Sequence, residues 1–269
     1  MSRNDNMGDR MKAYENCYRF YLPRRQAVCV RLDGKAFHNF TKGFEKPYDS
    51  LFMRCMWETA RELCKNIGGC VLGYTQSDEI SLILVDYENI NTEPWFDNNL
   101  QKIASVSASM ATLFFNNIFT KEVLEESKDN FDEICKTHVR ASDKLALFDS
   151  RAFILPREEV VNYLYWRQTD CLRNSVQTVG RTYFSHKQLQ GKSCDEIKQM
   201  LEQEKNIKWD NYPTYFKHGV MLYKVPCEVE HKNDNGTITR VMRNKWALNL
   251  GTPLIINSPE LVNSLVIKN

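Results

Sequence analysis

The sequence lacks the marks of secreted, zinc-binding and membrane proteins. Its nine cysteines are odd in number, and they form no Cys-x-x-Cys and no Cys/His spacing suited to zinc. No apolar run follows the N-terminus, and the most apolar stretches are broken by Ser, Asn or Lys, so neither a signal peptide nor a membrane span is predicted. Reduced, mostly buried thiols in a cytoplasmic protein are expected. The mitochondrion is the alternative location, although no clear targeting segment is present.

Proline, glycine and net charge are also low. Eight Pro and 11 Gly among 269 residues leave little room for flexible linkers, while 42% hydrophobic residues can fill one large core. A net charge of +2 does not by itself predict a polyanionic partner. Between residues 180 and 250, however, 12 Lys and Arg stand against 8 Asp and Glu. This excess suits either a phosphate backbone or an ordinary solvated surface.

The hydrophobic pattern predicts an α+β fold. Helical spacing predicts helices over residues 7–20, 51–67 (with Ser50 as N-cap) and 94–119, and the polar stretch 120–143 reads as a loop or insertion. Strands are predicted over residues 27–33, 70–75, 80–85 and 148–154. The resulting order, βαββαβ, is that of a ferredoxin-like polymerase palm. Helices are expected on the face of Val28, Val30 and Leu32, which leaves the other face open for a substrate.

The C-terminal part has a different pattern. It predicts a long helix over residues 157–183, polar helical turns to about 205, and hairpin strands over 220–231 and 237–242. The turn at 233–236, Asn-Asp-Asn-Gly, is typical of type I′. We therefore expect a palm-like domain over residues 1–155, which contains the candidate catalytic residues, and a helical and hairpin extension packed on the palm over 156–269, whose basic excess could face a phosphate backbone such as that of RNA.

Two acidic turns carry the candidate chemistry. Asp33-Gly34 ends the first strand, and Ser77-Asp78-Glu79 forms the tip between the second and third strands. The first and third strands are neighbours in this topology, so Asp33 and Asp78 are expected to converge. Carboxylate and carbonyl oxygens suit Mg²⁺, which takes further ligands from water and phosphate. An ordinary Asp-Gly turn and a solvated acidic turn remain the alternatives.

Phosphate ligands are also available near these turns. The segment Gly34-Lys35-Ala36-Phe37 offers backbone amides to a triphosphate. Lys46, Ser77 and His38 offer side-chain donors, although a histidine beside Phe37 is also typical of a packed side chain.

Four segments in order resemble the motifs of the tRNA-histidine guanylyltransferase family. They are RLDGKAFHNF at residues 31–40, FEKPYD at 44–49, GYTQSDEIS at 73–81 and YWRQTDC at 165–171. The resemblance spans residues 7–224. It implies a reverse-direction polymerase palm, in agreement with the strand order.

The resemblance implies a nucleotidyltransferase that adds nucleotides to the 5′ end of tRNA. ATP or GTP would activate a 5′-monophosphate, and the 3′-hydroxyl of an incoming GTP or other NTP would then attack it. Two Mg²⁺ ions would be held by Asp33, Asp78 and the Gly34 carbonyl. The resemblance also implies catalytic roles for Asp33, Asp78 and Glu79, and nucleotide contacts at Asp33, Gly34, Lys35, Ala36, Phe37, His38, Lys46, Ser77 and Asp78. RNA contacts are expected at Arg167, Arg173, Asn174 and Lys187.

The sequence departs from the family pattern after residue 171. Enzymes acting on histidine tRNA continue with HINNLYN, whereas residues 172–178 read LRNSVQT and match only at Asn174. This is similar to the guanylyltransferase-like branch, which repairs 5′-truncated tRNAs by templated addition. A helix that buries Leu172 and Val176 would also explain the segment.

Two other function classes remain open from the residues. A nucleotide cyclase would use the same carboxylates on an NTP alone, and a non-catalytic RNA-binding module would keep the basic half without the chemistry. The resemblance also implies a homotetramer, tRNA as partner and no membrane. The sequence does not define which tRNA or NTP is used, or whether a separate ATP activation site exists.

Overall fold

A computed structural model describes residues 6–129, 132–232 and 238–266. Short 3₁₀ turns at Trp95–Asn98, Trp209–Asn211 and Ile255–Asn257 join some of the elements. In chain order the helices and strands are α1 (Asn6–Asn16), β1 (Ala27–Gly34), α2 (Phe37–Phe40), α3 (Ser50–Asn66), β2 (Cys70–Gln76), β3 (Glu79–Leu84), α4 (Leu100–Asp129), α5 (Glu133–Ser142), β4 (Phe148–Leu155), α6 (Glu159–Tyr183), α7 (His186–Leu189), α8 (Cys194–Lys205), α9 (Thr214–His218), β5 (Val220–Lys232), β6 (Ile238–Asn249) and α10 (Pro259–Val266).

The strands form one antiparallel sheet in the order β4-β1-β3-β2-β5-β6. The first four have the predicted ferredoxin-like arrangement, and β1 and β3 are neighbours. Val28, Val30 and Leu32 of β1 pack under the helices α3 and α4, whereas Ala27 and Cys29 point to the other face, because side chains alternate along a strand. The predicted α+β palm is confirmed.

One face of the sheet is covered by α3 and α4, around a cluster of phenylalanines. Phe37, Phe52, Phe115 and Phe148 meet there with ring centroids 5.0–6.0 Å apart. By length and composition alone α4 could cross a membrane, contrary to the sequence prediction. Phe115 and Phe119 of this helix are buried in the phenylalanine cluster, and 28% of its most apolar stretch is buried.

The other face of the sheet is not open, which corrects the sequence prediction. Helices α6 and α10 cover it, and Val160 and Leu164 of α6 pack with Ala27 and Cys29 of β1 in a second core cluster. The hydroxyl of Tyr163 lies 2.8 Å from the hydroxyl of Ser81 on β3. The cavity that could admit a substrate lies instead at the end of the sheet near Asp33.

The predicted loop over residues 120–143 is also wrong. Helix α4 continues to Asp129, and α5 follows from Glu133 to Ser142 with Asp132 as its N-cap. Both helices bury a narrow face, which includes Val123 and His138, and expose the polar remainder. The polar composition therefore reflected solvated helix surfaces rather than a loop.

The C-terminal hairpin extends the palm sheet. Strand β5 pairs with β2 through residues 220–223, and β5 and β6 are longer than the predicted strands. The predicted type I′ turn at 233–236 lies outside the described residues. The boundary between residues 155 and 156 stays a prediction, although one sheet continues across it.

Candidate active site

The ends of β1 and β3 bring the two acidic turns together. Asp33 pairs across the strands with Glu79, and the Gly34 amide donates a 3.1 Å hydrogen bond to the Asp78 carbonyl. Ser77 and Asp78 form the two-residue turn between β2 and β3, in which Ser77 has a φ of 49°. The carboxylates of Asp33 and Asp78 therefore lie at the same end of the sheet, as the topology predicted.

The electrostatics at this end favour a bound cation. Burial raises the pKa of Asp78 above its ordinary value, and the negative charges of Asp33 and Glu79 act in the same direction against hydrogen bonds from Ser77 and the backbone. Within the described part of the chain, no three His, Cys, Asp or Glu side chains converge as a metal site. Two carboxylates and the Gly34 carbonyl are an incomplete oxygen set, which fits Mg²⁺ because this ion takes its other ligands from water and substrate phosphate.

Glu79 has a different environment from Asp33, its neighbour across the strands. Its carboxylate accepts hydrogen bonds from Arg167 Nε at 2.7 Å, Arg167 Nη2 at 2.9 Å and Arg31 Nε at 3.0 Å, and the residue is 6% exposed. Both of its oxygens are thus engaged by guanidinium groups. The Glu79 carboxylate thus fixes α6 onto the sheet beside the acidic pair, and its predicted catalytic role stays a prediction.

A cavity of about 540 Å³ opens beside the acidic pair. This volume is within the usual range for small-molecule sites. Its walls come from the β1 end and α2, from the segment between α2 and α3, and from α6 and α9. Residues from these walls that the sequence analysis did not predict include Phe44, Glu45, Tyr48, Asp49, Phe52, Met53, Cys171, Ser175, Thr178, Tyr215 and Phe216.

Eight of the nine predicted nucleotide-contacting residues line this cavity. They are Asp33, Gly34, Ala36, Phe37, His38, Lys46, Ser77 and Asp78. Lys35 is the exception, and its amide donates to the Leu147 carbonyl at 2.8 Å. The Gly34 amide is likewise bound to Asp78, so these two amides do not point at a triphosphate as predicted. Phe37 is 4% exposed and contributes mainly to the core.

The four predicted RNA-contacting residues are not equivalent. Arg167 is 5% exposed and bound to Glu79 and Asp170, so its position does not suit the predicted RNA contact. Arg173, Asn174 and Lys187 are exposed, and Asn174 also lines the cavity. Leu172 and Val176 pack in a third core cluster below them, as the structural explanation of this segment anticipated.

The wall formed by residues 44–49 coincides with a motif noted in the sequence, although only Lys46 of this segment was predicted to contact the nucleotide. Its anchor is Asp49, which caps α3 in place of the predicted Ser50 by accepting a 2.9 Å hydrogen bond from the Phe52 amide. An aspartate before the first apolar turn was an available signal. Tyr215 and Phe216 carried no such signal, because they reach the cavity from more than 130 residues further along the chain.

Comparison with known proteins identifies the same residues as part of a family domain. The family model described as "Thg1: tRNAHis guanylyltransferase" matches residues 8–156, which contain both acidic turns and all strands of the palm. The chain is also 33% identical over 242 residues to "Uncharacterized protein R259" of Acanthamoeba polyphaga mimivirus, covering 82% of this chain and 78% of that protein.

Solved structures agree with this match over nearly the whole chain. A structure titled "Bacterial tRNA(HIS) Guanylyltransferase (Thg1)-Like Protein in complex with ATP" is similar with a TM-score of 0.80 and 40% identity, covering 98% of this chain and 100% of that one. The counterpart in complex with GTP has a TM-score of 0.75 and 38% identity, with the same coverage. The similarity therefore includes the C-terminal helices and hairpin as well as the palm.

Proposed function

Because the chain belongs to the Thg1 family of tRNAHis guanylyltransferases and is thus a nucleotidyltransferase, we propose that it adds nucleotides to the 5′ end of tRNA in the 3′-to-5′ direction with the help of Mg²⁺. The observation that carries this proposal is the juxtaposition of Asp33 and Asp78 at the mouth of the cavity. ATP and GTP are the expected nucleotides, because both occur in the titles of the similar bacterial structures.

Asp33, Asp78 and the Gly34 carbonyl would hold Mg²⁺ against a triphosphate. Bound Mg²⁺ supplies neutralisation of the phosphate charge and a lower pKa for the attacking hydroxyl. Lys46, His38 and Ser77 are exposed at the cavity and offer donors to phosphate oxygens. The protein would then mainly position the 3′-hydroxyl of the nucleotide and the activated 5′ end of the RNA.

Templated repair of 5′-truncated tRNA fits this chain better than addition of one G to histidine tRNA. In the segment 172–178, Val176 is buried and Leu172 is partly buried against the same core cluster, and only the exposed Asn174 of the HINNLYN pattern is retained. The exposed cations Arg173 and Lys187 support tRNA as the partner on the α6 and α7 side. A homotetramer, as the family resemblance implies, and a cytoplasmic location, as the cysteine usage suggests, complete the proposal. Light scattering would test the tetramer against the mass of one 31.6 kDa chain.

A nucleotide-addition assay tests the proposed function. The protein is incubated with Mg²⁺, ATP and labelled NTPs, and with either full-length or 5′-truncated histidine tRNA. Extension of the truncated tRNA by the nucleotide complementary to the 3′ strand is expected. Absence of 5′ extension on either RNA, by folded protein that binds nucleotide, would refute the proposal.

The cyclase and RNA-binding alternatives have separate outcomes in the same assay. Cyclic nucleotide formed without RNA would favour the cyclase, and RNA binding that survives in Asp33→Asn without any extension in the wild type would favour a binding module. Neither alternative has an observation in its favour beyond the acidic pair and the modest basic excess.

A further inference from the structure

A buried histidine lies just behind one wall of the nucleotide cavity. His138 of α5 is 1% exposed, and its two ring nitrogens meet two carboxylates. Nε2 lies 2.9 Å from Asp49 Oδ2, and Nδ1 lies 2.7 Å from Glu126 Oε2 of α4. Both nitrogens therefore face acceptors, which only a protonated imidazole satisfies, because a neutral ring has a single N–H.

Asp49 connects this histidine to the cavity. Its Oδ1 accepts from the Phe52 amide at 2.9 Å and its Oδ2 accepts from the Glu45 amide at 3.1 Å. One carboxylate thus fixes both the start of α3 and the segment 44–49. This segment carries Lys46 and Tyr48, which line the cavity together with Asp49 itself.

Aromatic rings close the remaining space around His138. The ring centroids of Phe44 and Phe119 lie 4.8 and 6.2 Å from that of His138, both edge-on. Cys135 of α5 lies near Glu126, and Glu122 of α4 pairs with Arg54 of α3 at 3.7 Å. The charged groups that contact the imidazole are therefore Asp49 from the segment before α3 and Glu126 from α4.

The charge state of His138 depends on these two carboxylates. Burial lowers the pKa of His138, but the hydrogen bonds to Asp49 and Glu126 outweigh burial and raise the pKa above its ordinary value of about 6.5. Burial raises the pKa of Asp49, but hydrogen bonds from His138, Phe52 and Glu45 lower it overall. The two carboxylates therefore favour the imidazolium form of His138 over the neutral ring.

We infer that His138 is a positioning residue for nucleotide binding, which holds Asp49 and thereby keeps the cavity wall of residues 44–49 in the form that accepts a nucleoside triphosphate. The inference rests on the proposed function, since it concerns the same cavity. His138 is outside the cavity and acts through Asp49 rather than on the substrate.

The inference predicts a pH dependence with a defined sign. Below about pH 6.5 the imidazole is protonated in the folded and unfolded protein, so its hydrogen bonds to Asp49 and Glu126 contribute fully to the stability of the cavity wall. Its contribution is lost as the pH rises through the raised pKa of the folded protein, because the neutral ring releases one carboxylate. The KM for NTP is therefore expected to rise in the alkaline direction, above pH 6.5.

The substitution His138→Gln tests this. Its amide can donate to one carboxylate but carries no charge, so the KM for NTP is expected to rise about tenfold at pH 7, as for a lost charge-assisted hydrogen bond, with kcat within about twofold. Its KM should also become independent of pH between 6 and 9. An unchanged KM, or a KM profile parallel to the wild type, would overturn the inference.

A further variant and its control keep the test valid if His138→Gln does not fold. Glu126→Gln retains the bond from His138 to Asp49 but removes one charge, so the alkaline rise in KM should begin at lower pH than in the wild type. Glu125→Gln is the matched control, because Glu125 is exposed on the same helix turn and pairs with Lys128 at 2.8 Å. Identical pH profiles for these two variants would contradict the inference.

A nucleotide-binding measurement distinguishes a failure of this inference from a failure of the proposed function. The Kd of a fluorescent ATP analogue with Mg²⁺ should follow the same pattern across the variants without any RNA present. If the wild type adds no nucleotide to tRNA, the proposed function fails while the Kd series still decides the role of His138.

Discussion

Asp33 and Glu79 face each other across β1 and β3, yet their surroundings differ and indicate different roles. Asp33 lines the cavity, whereas Glu79 is enclosed by Arg31 and Arg167. A carboxylate bound by two guanidinium groups is already neutralised, so it gains little by binding a metal ion. We therefore propose that the pair Asp33 and Asp78 holds the cation, whereas Glu79 anchors α6 to the sheet.

Glu79→Gln should lower the free energy of unfolding but leave the Mg²⁺ requirement of the enzyme nearly unchanged. It leaves the buried Arg167 without a charged partner on the sheet, which typically costs about 3–5 kcal/mol in the free energy of unfolding. Urea denaturation measures this cost. Glu62→Gln, which breaks the exposed pair with Lys65 on α3, should cost less than about 1 kcal/mol.

The Mg²⁺ concentration for half-maximal activity is the second measurement on Glu79→Gln. It should remain near the wild-type value in the folded fraction. A stable variant with a strongly increased Mg²⁺ requirement would instead identify Glu79 as a metal ligand.

Gly34→Ala should impair both stability and activity. A Cβ at this position would collide with the Phe37 ring, which is itself fixed in the aromatic core. Moving such a ring costs about 1–3 kcal/mol, and the shift would displace the Gly34 carbonyl from the site. Thermal unfolding and steady-state kinetics measure the two effects.

Gly251→Ala is the control for Gly34→Ala. A Cβ at Gly251 comes no closer than 3.7 Å to any atom outside its chain neighbours, so near-neutral behaviour is expected. Equal effects of the two substitutions would show that Gly34 has no special packing role.

At the residue level, sequence patterns located the acidic residues of the candidate site but not the contacts between residues that are distant in sequence. Asp33 and Asp78 were predictable because each ends or begins a recognisable strand. His138 was not, because its partners lie 12 and 89 residues away in sequence and the residue stands in a segment read as a loop. The burial of Arg167 against Glu79, 88 residues apart, was hidden for the same reason.

Helix α6 packs on the palm sheet and forms one wall of the cavity. Val160 and Leu164 pack on the sheet, Arg167 binds Glu79, and Cys171 and Asn174 then line the cavity one and two turns further on. The helix therefore runs from the core towards the acidic pair. Its hydrophobic periodicity predicted the helix itself but not the surface it covers, since periodicity defines a buried face and not its partner.

A fragment of residues 1–155 should not fold on its own. It lacks α6, β5 and α10, so it exposes Ala27, Cys29 and Tyr74 on one sheet face and leaves β2 as an unpaired edge. Circular dichroism should find no cooperative thermal transition. A transition at the temperature of the full chain would contradict this and would favour an independent palm domain.

Helices α4 and α5 give the clearest example of a missed pattern. Buried residues recur along α4 from Ile103 to Val123 at nearly constant spacing, while the composition becomes polar after Thr120. Beyond that residue the polar composition hides the spacing of the buried positions, so the predicted helix is shorter than the observed one. The strands of β1 and β4 were predicted because their apolar runs are short and bounded.

For the whole molecule, nucleotide binding and stability should be linked through the acidic pair. A ligand that binds only the folded protein raises its unfolding free energy by mass action. ATP with Mg²⁺ at about one hundred times Kd should raise the Tm of the wild type by about 5–10 °C. Differential scanning calorimetry measures this shift.

Asp78→Asn should lose most of that Mg²⁺-dependent increase. Its Tm without ligands should equal or exceed that of the wild type, because burial and the charge of Asp33 disfavour the ionised carboxylate that the substitution removes. A ligand-induced shift as large as in the wild type would mean that Asp78 does not participate in nucleotide binding.

The most direct measurement is a crystal structure of the wild type with Mn²⁺ and a non-hydrolysable ATP analogue, analysed by the anomalous signal of the manganese. A signal is expected within about 2–2.5 Å of the carboxylates of Asp33 and Asp78, facing the triphosphate in the cavity. A metal held elsewhere, with these two side chains uninvolved, would contradict the assignment of the catalytic centre.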